Sequence, residues 1–173
     1  MKDNFADALT ALLIHEAGFI DNKDDPGGMT NLGVTASTWA MWVGHDVNEK
    51  QMRALTPPIV APLYRRKFWD ACRADELISG LDYAVFDYAV NSGVGRAIKA
   101  LQNCVGVAPD GGFGTTTMAA VSQFKGDSAK TLIEEYCDSR LQFLKFLKTF
   151  PIFGRGWEKR VNEVKAMSLK MLG

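Results

Sequence analysis

The sequence predicts a mainly helical fold that carries one short β-hairpin. Apolar residues recur at three- and four-residue steps over most of the chain, and the long departure from that period is a turn-rich stretch of about seventeen residues, Phe19 to Thr35. A composition of 47% hydrophobic and 23% charged residues in a 173-residue chain adds that there is enough apolar material to bury a core.

The elements follow in order. In NFADALTALLIHEA, Phe5, Ala8, Leu9, Leu12 and Leu13 share a face and Gly18 supplies a stop, so a first helix ends at Glu16. From Phe19 to Thr35, DDPGG, Asn31 and Gly33 alternate with Met29, Leu32 and Val34, which reads as a hairpin or irregular two-stranded ribbon. Helices are then expected at 36–43 and 48–55 and from Thr56, where Pro57 occupies the tolerated first turn. Pro62 should end or kink that last helix before Tyr64, Phe68 and Trp69. Further helices are expected at 81–91, 95–106, 115–124, 127–149 and 157–172, with VAPDGGFGTT as a glycine-rich turn whose final threonines cap the helix after it. No Pro/Ser-rich linker divides the chain. The expected organisation is two regions, 1–79 and 80–173, with a soft boundary at Ser79-Gly80 and packed as one compact globule.

Charge and cysteine usage narrow the function classes. Twenty basic and twenty acidic residues cancel, which leaves no global field for nucleic acid or anionic lipid. The balance is uneven: residues 125–173 hold ten basic and six acidic side chains, an excess read here as the solvated faces of long helices. No stretch is long and apolar enough to span a bilayer, and Asp3, Asp7, His15 and Glu16 interrupt the apolar run near the start, unlike an export signal, so synthesis in the cytoplasm is expected. Cys72, Cys104 and Cys137 are an odd count at intervals of 32 and 33 residues, and His15 and His45 share no ligand spacing with them. Free buried thiols and no metal are expected.

The chemistry concentrates in HEAGFIDNKDDPGGMTNLGVT, residues 15–35. Glu16 sits at the partially negative end of a helix, next to Phe19 and Ile20, and both surroundings favour its protonated form. A protonated carboxylic acid is what a general acid needs to protonate a leaving glycosidic oxygen. Nine residues on, Asp25 opens a Pro-Gly-Gly turn, and a hairpin of this size can return it and Thr30 across a cleft from Glu16. That gives the two unequal carboxylates of glycoside hydrolysis, with Asp25 orienting water or stabilising positive charge, Thr30 holding the water and Asn31 in contact with substrate. Asp21 and Asp24 are fallback second carboxylates. Structural alternatives stand beside each: a solvated helix-end glutamate for Glu16, a turn-initiating aspartate for Asp25. Asp87, four residues before Asn91, and Ser92 are candidates for bonding sugar hydroxyls, acetamido groups or a peptide stem, against helix capping and core polar bonding.

HEAGF followed by DDPGGMTNLGVT resembles glycoside hydrolase family 108, whose pattern is Glu-Gly-Gly-aromatic and then Asp-Pro-Gly-Gly-x-Thr-Asn-x-Gly-Ile-Thr. These are peptidoglycan-cleaving N-acetylmuramidases, found as phage endolysins and as bacterial proteins described as secretion activators. DYAVNSGVGRAIKALQNCVGVAPDGGFGTTTMAAV (87–121) resembles the peptidoglycan-binding region that accompanies the family, and FGRGWEKRVNEV its closing Gly-Trp helix. Ala17 replaces the first glycine after the glutamate, and the Asp25-to-Thr30 spacing is one residue shorter than in phage-type lysozymes. The resemblance implies a lysozyme-like helical fold with the hairpin beside an active-site cleft, and matches Glu16 to the family's catalytic glutamate. It implies hydrolysis of the β-1,4 bond between N-acetylmuramic acid and N-acetylglucosamine with no cofactor, by a monomer that reaches glycan strands of the wall through a holin or export channel. With Asp25 on a ribbon rather than a packed helix, an inverting outcome is expected. The other readings are a lytic transglycosylase, which uses Glu16 alone, and a non-catalytic wall-binding module.

Overall fold

Helices Phe5–His15 (α1), Ala36–Val43 (α2), Glu49–Arg53 (α3) and Pro57–Tyr64 (α4) make up the first part of the chain, together with strands Ile20–Asp21 (β1), Met29–Asn31 (β2) and Val34–Thr35 (β3). Helices Leu81–Ser92 (α5), Val94–Cys104 (α6), Thr115–Val121 (α7), Asp127–Lys145 (α8) and Phe150–Leu172 (α9) complete it. The computed structural model describes residues 4–16, 18–21 and 28–173. Among the described residues the chain is mainly helical with a small antiparallel sheet, the expected class. It divides into two compact units, Ala6–Lys67 and Phe68–Gly173 with Met1–Phe5. The Ser79-Gly80 junction lies inside the larger unit, where Ser79 Oγ donates to the Met171 carbonyl at 2.8 Å.

In the smaller unit the expected ribbon is a three-stranded antiparallel sheet in the order β1-β2-β3. Ile20 pairs with Thr30, and Asn31 with Val34. A two-residue turn, Leu32-Gly33, joins β2 to β3 with both residues at positive φ (49° and 72°), the backbone that matches strand twist in a tight hairpin. Thr35 then caps α2, its Oγ1 accepting from the Thr38 amide at 3.2 Å, and Gly44 ends that helix at φ 81°. Asn48 and Gln51 start α3 with a reciprocal capping box.

Of the two outcomes expected at Pro62, an end to the helix is not seen: α4 runs through it to Tyr64 and widens over Arg65–Trp69 into a π-helical turn. Only one amide donor is lost at a proline, and Val60, Leu63 and Tyr64 on the same helix are buried, so packing holds the segment in place.

The larger unit is built around α5. Every residue from Leu81 to Ala89 is buried, Asp82 and Asp87 included, and α6, α8 and α9 pack on it. Phe5, Trp69 and Phe86 meet edge to face with ring centroids 5.3–6.0 Å apart. Asp82 Oδ1 accepts from the Gly80 and Tyr83 amides, both at 2.7 Å, at the start of α5. Gly80, at φ 87°, lies so close to the Ser168 carbonyl that a Cβ has no room. The side chain of Gln102 organises the APDGGFG turn, donating to Asp110 Oδ1 (2.7 Å) and accepting from the Gly111 amide (2.9 Å). No threonine side chain caps α7: Thr115, Thr116 and Thr117 lie inside it, and Thr117 accepts from Gln102 instead. The last helix begins at Phe150, seven residues before the expected start. Pro151 sits in its tolerant first turn, and buried Gly154 lies against the Phe150 ring.

Cys72 and Cys137 are buried free thiols, and burial pushes both up to about 12. Half-buried Cys104 donates weakly to Ser139 Oγ at 3.9 Å.

At the centre of this unit Asp87 of α5 accepts from Arg140 of α8 (2.6 Å) and Arg160 of α9 (2.9 Å), with no solvent exposure of its own. Burial alone raises the carboxyl, but the two guanidiniums outweigh it and hold Asp87 below the usual carboxylate range. A depressed value in the folded state contributes stability that is present above the unfolded carboxylate value of about 4 and lost as pH falls through the folded one. Asp87→Asn leaves Arg140 buried without its counter-charge and should cost about 3–5 kcal/mol, a fall in melting temperature of roughly 6–20 °C. The same variant should show a flatter loss of stability below pH ~4 than the parent. Thermal melts across pH check both.

Candidate functional site

The smaller unit brings three pieces of chain to one point. Glu16 follows directly on the last residue of α1 and is half-buried. Tyr64, the last residue of α4, is buried and donates its hydroxyl to the Leu32 carbonyl at 2.7 Å, which fixes the hairpin turn. Gly33 is where they converge: a Cβ placed there would stand 2.6 Å from the Tyr64 hydroxyl and 2.8 Å from Glu16 Oε2. The carboxylate and the phenol therefore occupy the space that a side chain at position 33 would need. Its positive φ also favours glycine. Leu32, at φ 49°, holds a backbone that costs an ordinary residue about 1–2 kcal/mol, and the hydrogen bond from Tyr64 opposes its relaxation.

Neighbouring contacts set this turn in place. Asn31 is buried, and its side-chain amide donates to the Met52 carbonyl of α3 at 2.8 Å. Its placement is that of an anchor between sheet and helix, not of a group turned toward sugar. Thr30 is half-buried on the central strand, between Ile20 and Thr35 and three residues before Gly33. Phe19, just after Glu16, lies under the Arg53 guanidinium, 3.8 Å from ring centroid to Cζ, so α3 also grips the loop that follows the glutamate. Asp21 is exposed on β1. Asp25 and Asp24 lie outside the described residues.

The remaining substrate-contact candidates belong to α5. Asp87 is enclosed by two arginines and meets no solvent, the core role that stood as its structural alternative. Asn91 is exposed at the end of the helix, where Ser92 donates to its side-chain oxygen at 3.1 Å and Gly93 caps at φ 93°. Tyr64 was not singled out for the site from sequence. The signal that could have found it is a long-range one, a phenol at the end of a helix facing a turn 32 residues earlier, and local patterning does not carry it.

Gly33→Ala should push the Glu16 carboxylate or the Tyr64 hydroxyl aside, adding a clash to a backbone cost of about 1–2 kcal/mol. Gly44→Ala meets the same positive-φ cost with nothing within 4 Å of the new methyl. It should lose the backbone part alone, so paired thermal melts should show the larger fall for Gly33→Ala.

The family model described as Glycosyl hydrolase 108 matches residues 9–93, and that described as Predicted Peptidoglycan domain matches residues 96–162. Among curated protein sequences none matches. The solved structure of Brucella abortus SagA is 40% identical, with a TM-score of 0.85, over 99% of this chain and 97% of that one. The chain belongs to the glycosyl hydrolase 108 family and is a glycoside hydrolase that acts on peptidoglycan.

Proposed function

We propose that the chain is an N-acetylmuramidase that hydrolyses the β-1,4 bond between N-acetylmuramic acid and N-acetylglucosamine in the cell wall, with Glu16 as proton donor. The observation that carries this reading is the convergence of the Glu16 carboxylate and the Tyr64 hydroxyl over the bare α-carbon of Gly33. A general acid must be held at a fixed place beside the scissile oxygen. Here the end of α1, the end of α4 and a strained turn fix it from three sides.

On this reading Glu16 gives its proton to the glycosidic oxygen as the bond from the anomeric carbon breaks. Asp25, the second carboxylate, takes a proton from the water that adds to that carbon, and Thr30 holds the water. Water attacking the face opposite the leaving sugar inverts the anomeric configuration. Tyr64 acts through the turn and the space it shares with Glu16, so it is a positioning residue.

Glu16→Gln keeps the shape and removes the proton. It should reduce hydrolysis of purified sacculi by about 10²–10⁴-fold, with stability within about 0.5 kcal/mol of the parent. Undiminished lysis would remove Glu16 from the mechanism and leave a wall-binding module. Mass spectrometry of the released muropeptides should show reducing sugars, each one water heavier than the anhydro product of a transglycosylase.

A further inference from the structure

We propose that the tip of the α8–α9 hairpin is a docking surface for an anionic lipid bilayer. The two helices run antiparallel, since Lys145 approaches Glu158 at 3.5 Å and Asp138 pairs with Lys165 at 2.9 Å. Residues 146–149 therefore form the turn between them, and 150–157 the first two turns of α9. Three large apolar side chains stand in solvent there: Phe146 is 86% exposed, Ile152 76% and Phe153 52%. Scattered exposed hydrophobics are ordinary, but three within eight residues at one turn are not.

The tip is built on a fixed base. Phe153 and Phe150 both lie against Trp157, with centroids 5.8 and 6.1 Å apart, and Phe150 covers the buried Gly154. The exposed groups thus project from a packed aromatic platform. Their charge setting is one-sided: residues 145–159 hold Lys145, Lys148, Arg155 and Lys159 against the one acid Glu158, which Lys145 approaches. Helical spacing puts Ile152, Arg155 and Lys159 on one outward face of α9, away from the buried Gly154, Val161 and Val164.

Apolar anchors ringed by cations suit a surface that offers an apolar layer beneath negative headgroups. A hydrated anionic wall polymer satisfies the cations but gives Phe146 and Ile152 nothing to enter. No helix among the described residues is long and apolar enough to cross a membrane, so the contact is interfacial. For a wall hydrolase, such a contact holds the enzyme beside a membrane that faces its substrate.

The full chain should co-sediment with vesicles of equal phosphatidylcholine and phosphatidylglycerol at least about tenfold more strongly than with pure phosphatidylcholine, and the difference should shrink in high salt. Phe146→Ser with Ile152→Ser should lose vesicle binding at least tenfold. Lys148→Glu with Arg155→Glu should abolish the preference for the anionic lipid. All four positions are exposed, so both variants should melt like the parent, and Glu16→Gln should still bind vesicles. Equal binding to both vesicle types overturns the proposal, as does unchanged binding by the serine variant. So does a serine variant that alters only self-association or only retention on sacculi.

Discussion

A single carboxylate without access to water organises the larger unit. Asp87 can stay ionised in the core only because Arg140 and Arg160 reach it, and they can reach it only when α5, α8 and α9 stand at one rotation and one register. Apolar packing alone tolerates several arrangements of amphipathic helices. Two guanidiniums on one carboxylate do not, because sliding either helix strands a charge in a medium of low dielectric. The arrangement is not fully satisfied: Arg140 Nε has no hydrogen-bond partner among the described residues, while the Tyr88 ring faces its guanidinium at 5.0 Å. The node is best understood as a selector of geometry, with net stabilisation secondary.

The smaller unit uses a different device for a different purpose. Strain at Leu32, bareness at Gly33 and one phenolic hydrogen bond bear on the place of the Glu16 carboxylate. Backbone conformations of this kind persist only where the surroundings over-determine them. Here the determinants are a tyrosine from the end of α4 and the Thr35-capped start of α2, and the sheet has seven strand residues among those described.

Much of this was readable in the residues. Gly18 and Gly44, Thr35, the Asn48-Gln51 pair and Pro57 mark helix ends through local chemistry, and α2 falls on the expected residues. At Pro62 the burial of Val60, Leu63 and Tyr64 overrides a local penalty. At Gly154 the cover comes from the same helix, the Phe150 ring four residues earlier. Site candidates divide by sequence separation. Glu16 stands out as a candidate because its helix end and the glycine-rich hairpin lie next to it in sequence. For Asp87 the sequence leaves sugar contact and core bonding side by side, because the arginines that claim it are 53 and 73 residues away. Tyr64 lay beyond reach for the same reason, its acceptor being 32 residues upstream.

The thiols lead to a practical consequence. A disulfide forms by attack of a thiolate, and a sulfur held neutral to about pH 12 and sealed from solvent, as at positions 72 and 137, supplies almost none. Only the partly accessible sulfur at 104 remains open to oxidants. The folded chain thus keeps its three free thiols apart in oxidising surroundings without any reductant. An unfolded copy, with every sulfur back at ordinary acidity, has no such protection and risks cross-linked aggregates during refolding.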